Sequence, residues 1–271
     1  MNDRQRPSAF HADLRQSIRT RALMKYPSVP EEERTGVAYL AAVLPFVTQP
    51  VRMKHPFLDL EMELPHSLGA RLFYLASVGE YELSDLELLE RYVKRGDAVM
   101  EVGGGIGLTA ALSAKLSERP VTVVEPDERL FPLIRRQVEL NGGEVGFVHG
   151  AVTATSSASD DVEFFLHEEA WFSSLRPAAE GEPRRISVRV PRLSLPEVFA
   201  ARRPTVAMID IEGAEDGLFE GAYPYLPATL LLEIHFPHLG ETRGARVMQS
   251  LIDHGYRLLD CYGWTFVFQR P

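Results

Sequence analysis

The chain has 271 residues, 45% hydrophobic and 25% charged, with 20 Gly and 19 Pro, which excludes wholesale disorder, collagen-like repeats and low complexity. Twenty-nine basic against 38 acidic side chains give a net charge of −9, so the chain as a whole repels a phosphate backbone, and nucleic-acid binding is not expected outside a local patch. Cys261 is alone, which excludes an intramolecular disulfide or a cysteine zinc site and suits a reducing compartment. The longest apolar run, Val37 to Val47, is far shorter than the roughly 18 residues of a membrane span, so the expectation is a cytoplasmic protein.

The first 26 residues carry Arg4, Arg6, Arg15, Arg19, Arg21 and Lys25 against Asp3 and Asp13, a local +4 that leaves −13 on the remainder. Phe10, Leu14 and Ile18 recur at helical spacing, which predicts a basic amphipathic helix. It would lie on its own domain or a second subunit, with a membrane surface or an acidic partner as the alternative. A second helix is expected after Pro30, its acidic first turn matched to the helix dipole, running to about Leu44 before Pro45. Residues 1–55 therefore read as a helical cap, lid or homodimer contact. From Pro56 to Leu75, Phe57, Leu58, Leu60, Met62 and Leu64, then Leu72, Phe73 and Leu75, suggest a hairpin around Pro65 to Gly69. Ser84 and Glu87 form a capping box before the apolar stripe Leu86, Leu89 and Val93. Lys94 and Arg95 would close that helix, with Gly96 at C′.

Beyond Gly96 strand and helix alternate: Ala98–Val102, helix 106–117, Val121–Glu125, helix 128–140 and Val145–Val152. An insertion at 153–204 carries β-like Val162–Leu166 and Ile186–Val190. The alternation resumes with Thr205–Ile211, a helix from Ala214, Leu230–Phe236, helix 242–254 and a closing pair, Arg257–Cys261 with Thr265–Phe268. Such alternation predicts an α/β fold of mostly parallel strands with the last one antiparallel. The expected division is 1–55, a hairpin and capped helix over 56–95, and a core over 96–271.

The turn Glu101-Val102-Gly103-Gly104-Gly105-Ile106-Gly107 ends the first core strand and opens a helix. Its glycines, Gly103, Gly105 and Gly107, fit G-x-G-x-G; a dinucleotide G-x-G-x-x-G fails at Leu108. Glu101, in an apolar strand, would be costly to bury unless something cationic or hydrogen-bonding meets it, and the amino group of a methionine moiety would serve. Glu125 ends the second strand, near the spacing at which an acid accepts hydrogen bonds from both ribose hydroxyls of an adenosine. Together they favour S-adenosylmethionine over a nicotinamide dinucleotide.

A third cluster, Asp210-Ile211-Glu212-Gly213-Ala214-Glu215, follows an apolar strand, placing Asp210 at the ligand-facing edge of the sheet. Glu212, Glu215 and Asp216 are also what the first turn of a helix attracts. Glu233 and His235, two apart on the next strand, share a face at the same edge. His235 is either a general base or a structural histidine, and the same groups could gather a divalent cation, with Asp210 and His235 as the candidates, although no ligand spacing demands a metal.

These residues resemble the FkbM-type S-adenosylmethionine-dependent methyltransferases from about Gly79 to Phe236. The likeness is carried by Gly79-Glu80-Tyr81-Glu82, Glu101 to Gly107, Val124-Glu125-Pro126, Asn141, Ala151-Val152, Ser173-Ser174, Asp210 to Glu215 and Leu232-Glu233-Ile234-His235. The resemblance implies a Rossmann-like class I core of seven strands, S-adenosylmethionine as cofactor, and O-methylation of a sugar or natural-product hydroxyl on a small molecule. It further implies Glu101, Gly103, Gly105, Gly107, Glu125, Tyr81 and Glu82 at the cofactor, Ser173, Ser174 and Glu233 at the acceptor, and Asp210, Glu212 and His235 in catalysis, with His235 as the base candidate and Asp210 as its orienter or as a ligand of the acceptor hydroxyl. Where the family has Asp, Ala-Asn, Asn and Asp, this chain has Glu101, Gly104-Gly105, Gln137 and Ser194. A nicotinamide-dependent oxidoreductase, an RNA methyltransferase and a cofactor-binding assembly module remain as alternatives.

Overall fold

In a computed structural model, residues 31–153, 161–166, 173, 175 and 186–271 are described; the basic helix expected over the first 26 residues lies outside them, as does Ser174. The chain divides into two compact units, Met1–Leu83 and Ser84–Pro271.

In the first unit, α1 (Glu31–Val43) forms as expected and gives way to a 3-10 turn at Leu44–Phe46, where Pro45 removes a backbone donor. Strands β1 (Val51–Lys54) and β2 (Glu61–Leu64) pair antiparallel, Val51 opposite Leu64, and bury Met62 and Leu64 on one face. The second strand expected at Leu72–Leu75 does not form. Those residues belong to α2 (Ala70–Val78), because Leu72, Phe73 and Ala76 bury one helical face. Gly79 ends the helix at φ 76°, donating its N–H to the Ala76 carbonyl as a C′ glycine does.

α3 (Leu83–Tyr92) starts a residue earlier than the capping-box reading allows, so Ser84 lies in its first turn and not at its N-cap. Leu86, Leu89 and Val93 are buried as the stripe predicts. The helix ends before Lys94 and Arg95, and Gly96 donates its N–H to Ser117 and not back to the helix.

The second unit is built on β3 (Val99–Val102), β4 (Val121–Glu125), β5 (Val145–His149), β9 (Val206–Ile209), β10 (Thr229–Glu233), β11 (Arg257–Tyr262) and β12 (Thr265–Gln269), in the order β11-β12-β10-β9-β3-β4-β5. β10, β9, β3, β4 and β5 are parallel, and β12 runs antiparallel to both neighbours. This is the Rossmann-like class I methyltransferase sheet that the sequence predicts. Every residue of β3 and β9 is buried, as suits central parallel strands covered on both faces. The chain runs outward from β3 through β4 to β5 and returns on the far side at β9, which opens a ligand crevice at the carboxyl ends of β3 and β9.

Between β3 and β4 lies α4 (Leu108–Ser117), and between β4 and β5 a 3-10 turn, Glu128–Leu130, leads into α5 (Phe131–Leu140). The single strand expected over Val145–Val152 is two. Gly150, at φ 144° and with Pro191 O 2.5 Å from where a Cβ would stand, turns the chain out of the large sheet into β6 (Ala151–Thr153). β6 pairs with β8 (Ile186–Ser194), which pairs antiparallel with β7 (Asp161–Leu166), around Ala151, Phe164, Leu166 and Val190. α6 (Leu195–Arg202), not foreseen, then seals one face of the main core with Leu195 and Phe199. After β10 come the short α7 (Phe236–Leu239) and α8 (Glu241–Asp253).

The helix expected from Ala214 does not form. Glu212 at φ 52° and Gly213 at φ 92° both take left-handed backbone, so 212–220 is a run of turns. Among the described residues, no helix is long and apolar enough to cross a membrane.

Gly103 combines a φ of 91° with Asp210 O lying 1.8 Å from the position a Cβ would occupy, so the glycine lets the β3 and β9 ends touch. Gly103→Ala should lower unfolding stability by about 2–4 kcal/mol, from left-handed strain plus overpacking. Urea denaturation checks this, and no loss would mean that the two strand ends can part.

Candidate active site

The crevice is lined by acids that each end an apolar strand. Glu101 is the third residue of β3 and 1% exposed, and among the described residues neither of its carboxylate oxygens has a partner in hydrogen-bond geometry. Burial, and after it Asp85, Asp210 and Glu125, push its carboxyl up to about 8, with the Thr109 hydroxyl pulling the other way. A buried ionised carboxylate without a partner is among the costliest arrangements a fold can hold. An ammonium with its own donors would relieve it.

Glu125 is also buried, but it is engaged. Its Oε2 accepts the Gly104 N–H at 2.9 Å and its Oε1 the Asp127 N–H at 2.8 Å, so the carboxylate ties the glycine turn to the end of β4. Burial raises it to about 7 while those two amides lower it. Each oxygen keeps a lone pair for a further donor, which fits a pair of ribose hydroxyls. Gly105 (φ 47°) and Gly107 (φ 88°) complete a turn in which Ile134 Cα would stand 2.7 Å from a Gly107 Cβ, so α5 packs directly on the loop. These residues therefore fit S-adenosylmethionine, whose amino group and ribose hydroxyls offer the kinds of donor that Glu101 and Glu125 could accept.

Across the crevice, His235 is 7% exposed and central to four carboxylates. Its Nδ1 meets Glu215 Oε1 at 2.8 Å; its Nε2 faces Asp210 Oδ1 at 3.5 Å, Glu212 Oε2 at 3.5 Å and Glu233 Oε1 at 3.9 Å. The structure thus brings Asp210, Glu212, Glu233 and His235 together as the sequence suggests, but it gives the orienting place to Glu215 and not to Asp210. Glu215 is fully buried and its Oε1 also accepts the Gly213 N–H at 2.9 Å. A helix expected from Ala214 makes Glu215 a helix-terminus acid; Gly213 and Gly217 on either side are the signal against one.

Burial pulls the imidazole pKa down, but the Glu215 bond and then Asp210, Glu233 and Glu212 outweigh it and raise it to about 11. His235 is therefore an imidazolium at neutral pH in this arrangement. Burial raises Asp210 and Glu233 in turn, against the pull of His235. Sequence reasoning also missed Asp85 on α3, which is buried, bonded by the Thr265 hydroxyl, and pushed up to about 7 chiefly by burial.

Ser173 is half-buried. Tyr81 and Glu82 belong to the first unit, in the turn ahead of α3, where Glu82 takes φ 51°. Ser194, in place of the family's Asp, is the N-cap of α6 without a capping hydrogen bond, and its buried hydroxyl has no hydrogen-bond partner among the described residues.

Fold and crevice define a class I methyltransferase. Residues 101–258, well over half of the chain, match the Methyltransferase FkbM domain, and the chain belongs to that family of S-adenosylmethionine-dependent methyltransferases. No curated protein sequence matches. Similar solved structures include a fibrillarin pre-rRNA processing protein of Methanococcus jannaschii, at 12% identity over 66% of this chain and 68% of that one, with a TM-score of 0.42. A Pyrococcus abyssi tRNA (uracil-54, C5)-methyltransferase in complex with S-adenosyl-L-homocysteine is 13% identical over 82% of this chain but only 44% of its own, with a TM-score of 0.45. A TehB-like SAM-dependent methyltransferase from Corynebacterium glutamicum is 12% identical over 74% and 95%, with a TM-score of 0.42.

The raised carboxyls make stability pH-dependent. Asp85, Glu101 and Glu125 titrate near 7–8 when folded against 3.8–4.5 ordinarily, so between about pH 4 and 8 the folded chain binds more protons than the unfolded one. Stability should then fall as pH rises through that window, by up to ~1.4 kcal/mol per pH unit for each group still titrating. Thermal unfolding of the ligand-free protein from pH 5 to 8.5 tests this, and Glu101→Gln should flatten the slope.

Proposed function

We propose that the protein transfers the methyl group of S-adenosylmethionine to a hydroxyl of a small molecule, a sugar or natural-product scaffold, in the cytoplasm. The observation that carries this reading is the position of the His235 cluster. Asp210, which faces His235, is also the residue whose carbonyl lies against Gly103 of the cofactor turn. A proton-accepting group thus adjoins the end of the cofactor held by Glu101. The cofactor supplies the electrophilic methyl on its sulfonium, so the chain has to bind, align and remove a proton.

The carboxylates around His235 favour its protonated ring, which leaves the base's part to one of them. Asp210 takes that part: its carboxyl is raised by burial, which makes the carboxylate a stronger base than an exposed one. His235 balances the charge of that carboxylate, and Glu212 faces the same nitrogen at the same distance, 3.5 Å. Glu233, Ser173 and Ser174 fall to the acceptor, the two serines on the family resemblance alone.

Labelled S-adenosylmethionine with a panel of glycosides, polyketides, amines and peptides tests the reading. Transfer to hydroxyls supports it, and transfer confined to nitrogen or to RNA overturns it. With an acceptor in hand, Asp210→Asn should lower kcat about 10²- to 10⁴-fold while cofactor affinity stays within a few-fold. Glu125→Ala should do the opposite, weakening cofactor binding first; equilibrium binding of S-adenosylhomocysteine reads it directly.

A further inference from the structure

Four carboxylates around one imidazole are more than general-base chemistry needs, and the geometry of the imidazole is specific. Nδ1 is used up by a 2.8 Å contact with Glu215, a carboxylate that the Gly213 N–H holds in place. That fixes the ring and turns Nε2 toward the crevice. There Nε2, on a side chain more than nine-tenths buried, meets three carboxylate oxygens at 3.5, 3.5 and 3.9 Å. None of these is a hydrogen bond, since N–H···O contacts weaken well before 3.5 Å. The groups point at one another without bonding.

Contacts of this length leave room for a shared cation between the groups. Ligand atoms about 2.1 Å from a common ion at tetrahedral angles lie about 3.4 Å apart. One oxygen of Asp210, one of Glu233 and one nitrogen of His235 all lie within 4.8 Å of one another. A ligating histidine characteristically donates its other ring N–H to a carboxylate, which sets its tautomer, and Glu215 stands where that partner belongs. The three ligands come from the ends of β9 and β10, so a rigid sheet holds them.

We propose that Asp210, Glu233 and His235 Nε2 bind a divalent cation, with Glu215 as the positioning residue behind His235 and Glu212 beside the open coordination positions. Two carboxylates with one imidazole suit Mn²⁺ or Zn²⁺ better than Ca²⁺ or Cu⁺. Binding would displace the Nε2 proton of His235 to solvent; the ion would then bind the acceptor's hydroxyl oxygen and acidify it, leaving Glu212 to receive the hydroxyl proton. The site does not depend on which acceptor is methylated, so its failure leaves the proposed function standing with Asp210 as base.

The test uses the full chain, stripped with chelator and titrated separately with Mn²⁺, followed by loss of the free-ion spin-resonance signal, and with Zn²⁺, followed by calorimetry. One ion per chain is expected, with a higher thermal midpoint. Asp210→Asn and Glu233→Gln, nearly isosteric, should each weaken binding at least about tenfold, and Glu215→Gln less, while metal-free unfolding stays cooperative. Absence of binding by the wild-type chain up to about 1 mM of either ion overturns the proposal. So does unchanged affinity in both ligand variants, which would place the ion elsewhere.

Discussion

Glu101 sits near the end of a strand in which every residue is buried, and among the described residues neither carboxylate oxygen has a partner in hydrogen-bond geometry. The surrounding architecture is arranged so that this can persist. β3 is central because β4 and β9 flank it in parallel register, and the same register brings the ends of all three strands to one edge. The chain reverses its course across the sheet there, so the edge opens instead of closing over. An apolar residue at position 101 would make a more stable sheet; a carboxylate makes one that lacks a cation.

The other acids answer the same constraint in different ways. Glu125 is satisfied by two backbone amides and so shapes the glycine turn that covers it. Glu215 is satisfied by Gly213 and His235 and so fixes an imidazole. Asp210, Glu212 and Glu233 crowd the remaining nitrogen of that imidazole without bonding it. Much of the net charge of −9 is a surface matter, but these few acids are concentrated where the sheet opens, and it is they that make the crevice a receptor for positive charge.

Most of the core was legible because its signals are local. Apolar runs of four or five residues with an acid at or near their ends predict β3, β4 and β9 to within two residues and β10 to within three. The closing hairpin carries the antiparallel strand with it. Glu101, Glu125 and Asp210 were legible for the same reason, as charges at the ends of strands. What was missed depends on backbone conformation or on distant partners. Leu72 and Phe73 fit a strand pattern as readily as a helix until Gly69 and Gly79 are seen to bracket them. The expected helix at Ala214 hid the role of Glu215, which depends on left-handed backbone at Glu212 and on a histidine 20 residues away. Asp85 has no local signal, since its partner Thr265 is 180 residues distant. The split of β5 from β6 turns on the backbone of Gly150 meeting Pro191.

The central claim is that Glu101 is kept protonated by burial until a cation arrives. Calorimetric titration with S-adenosylhomocysteine at pH 7, in buffers of different ionisation enthalpy, counts the protons exchanged on binding. A carboxyl near 8 that must ionise to meet the ligand's ammonium should release close to one proton, and Glu101→Gln should abolish that release. Binding with no proton release, or equal release in the variant, would contradict the claim.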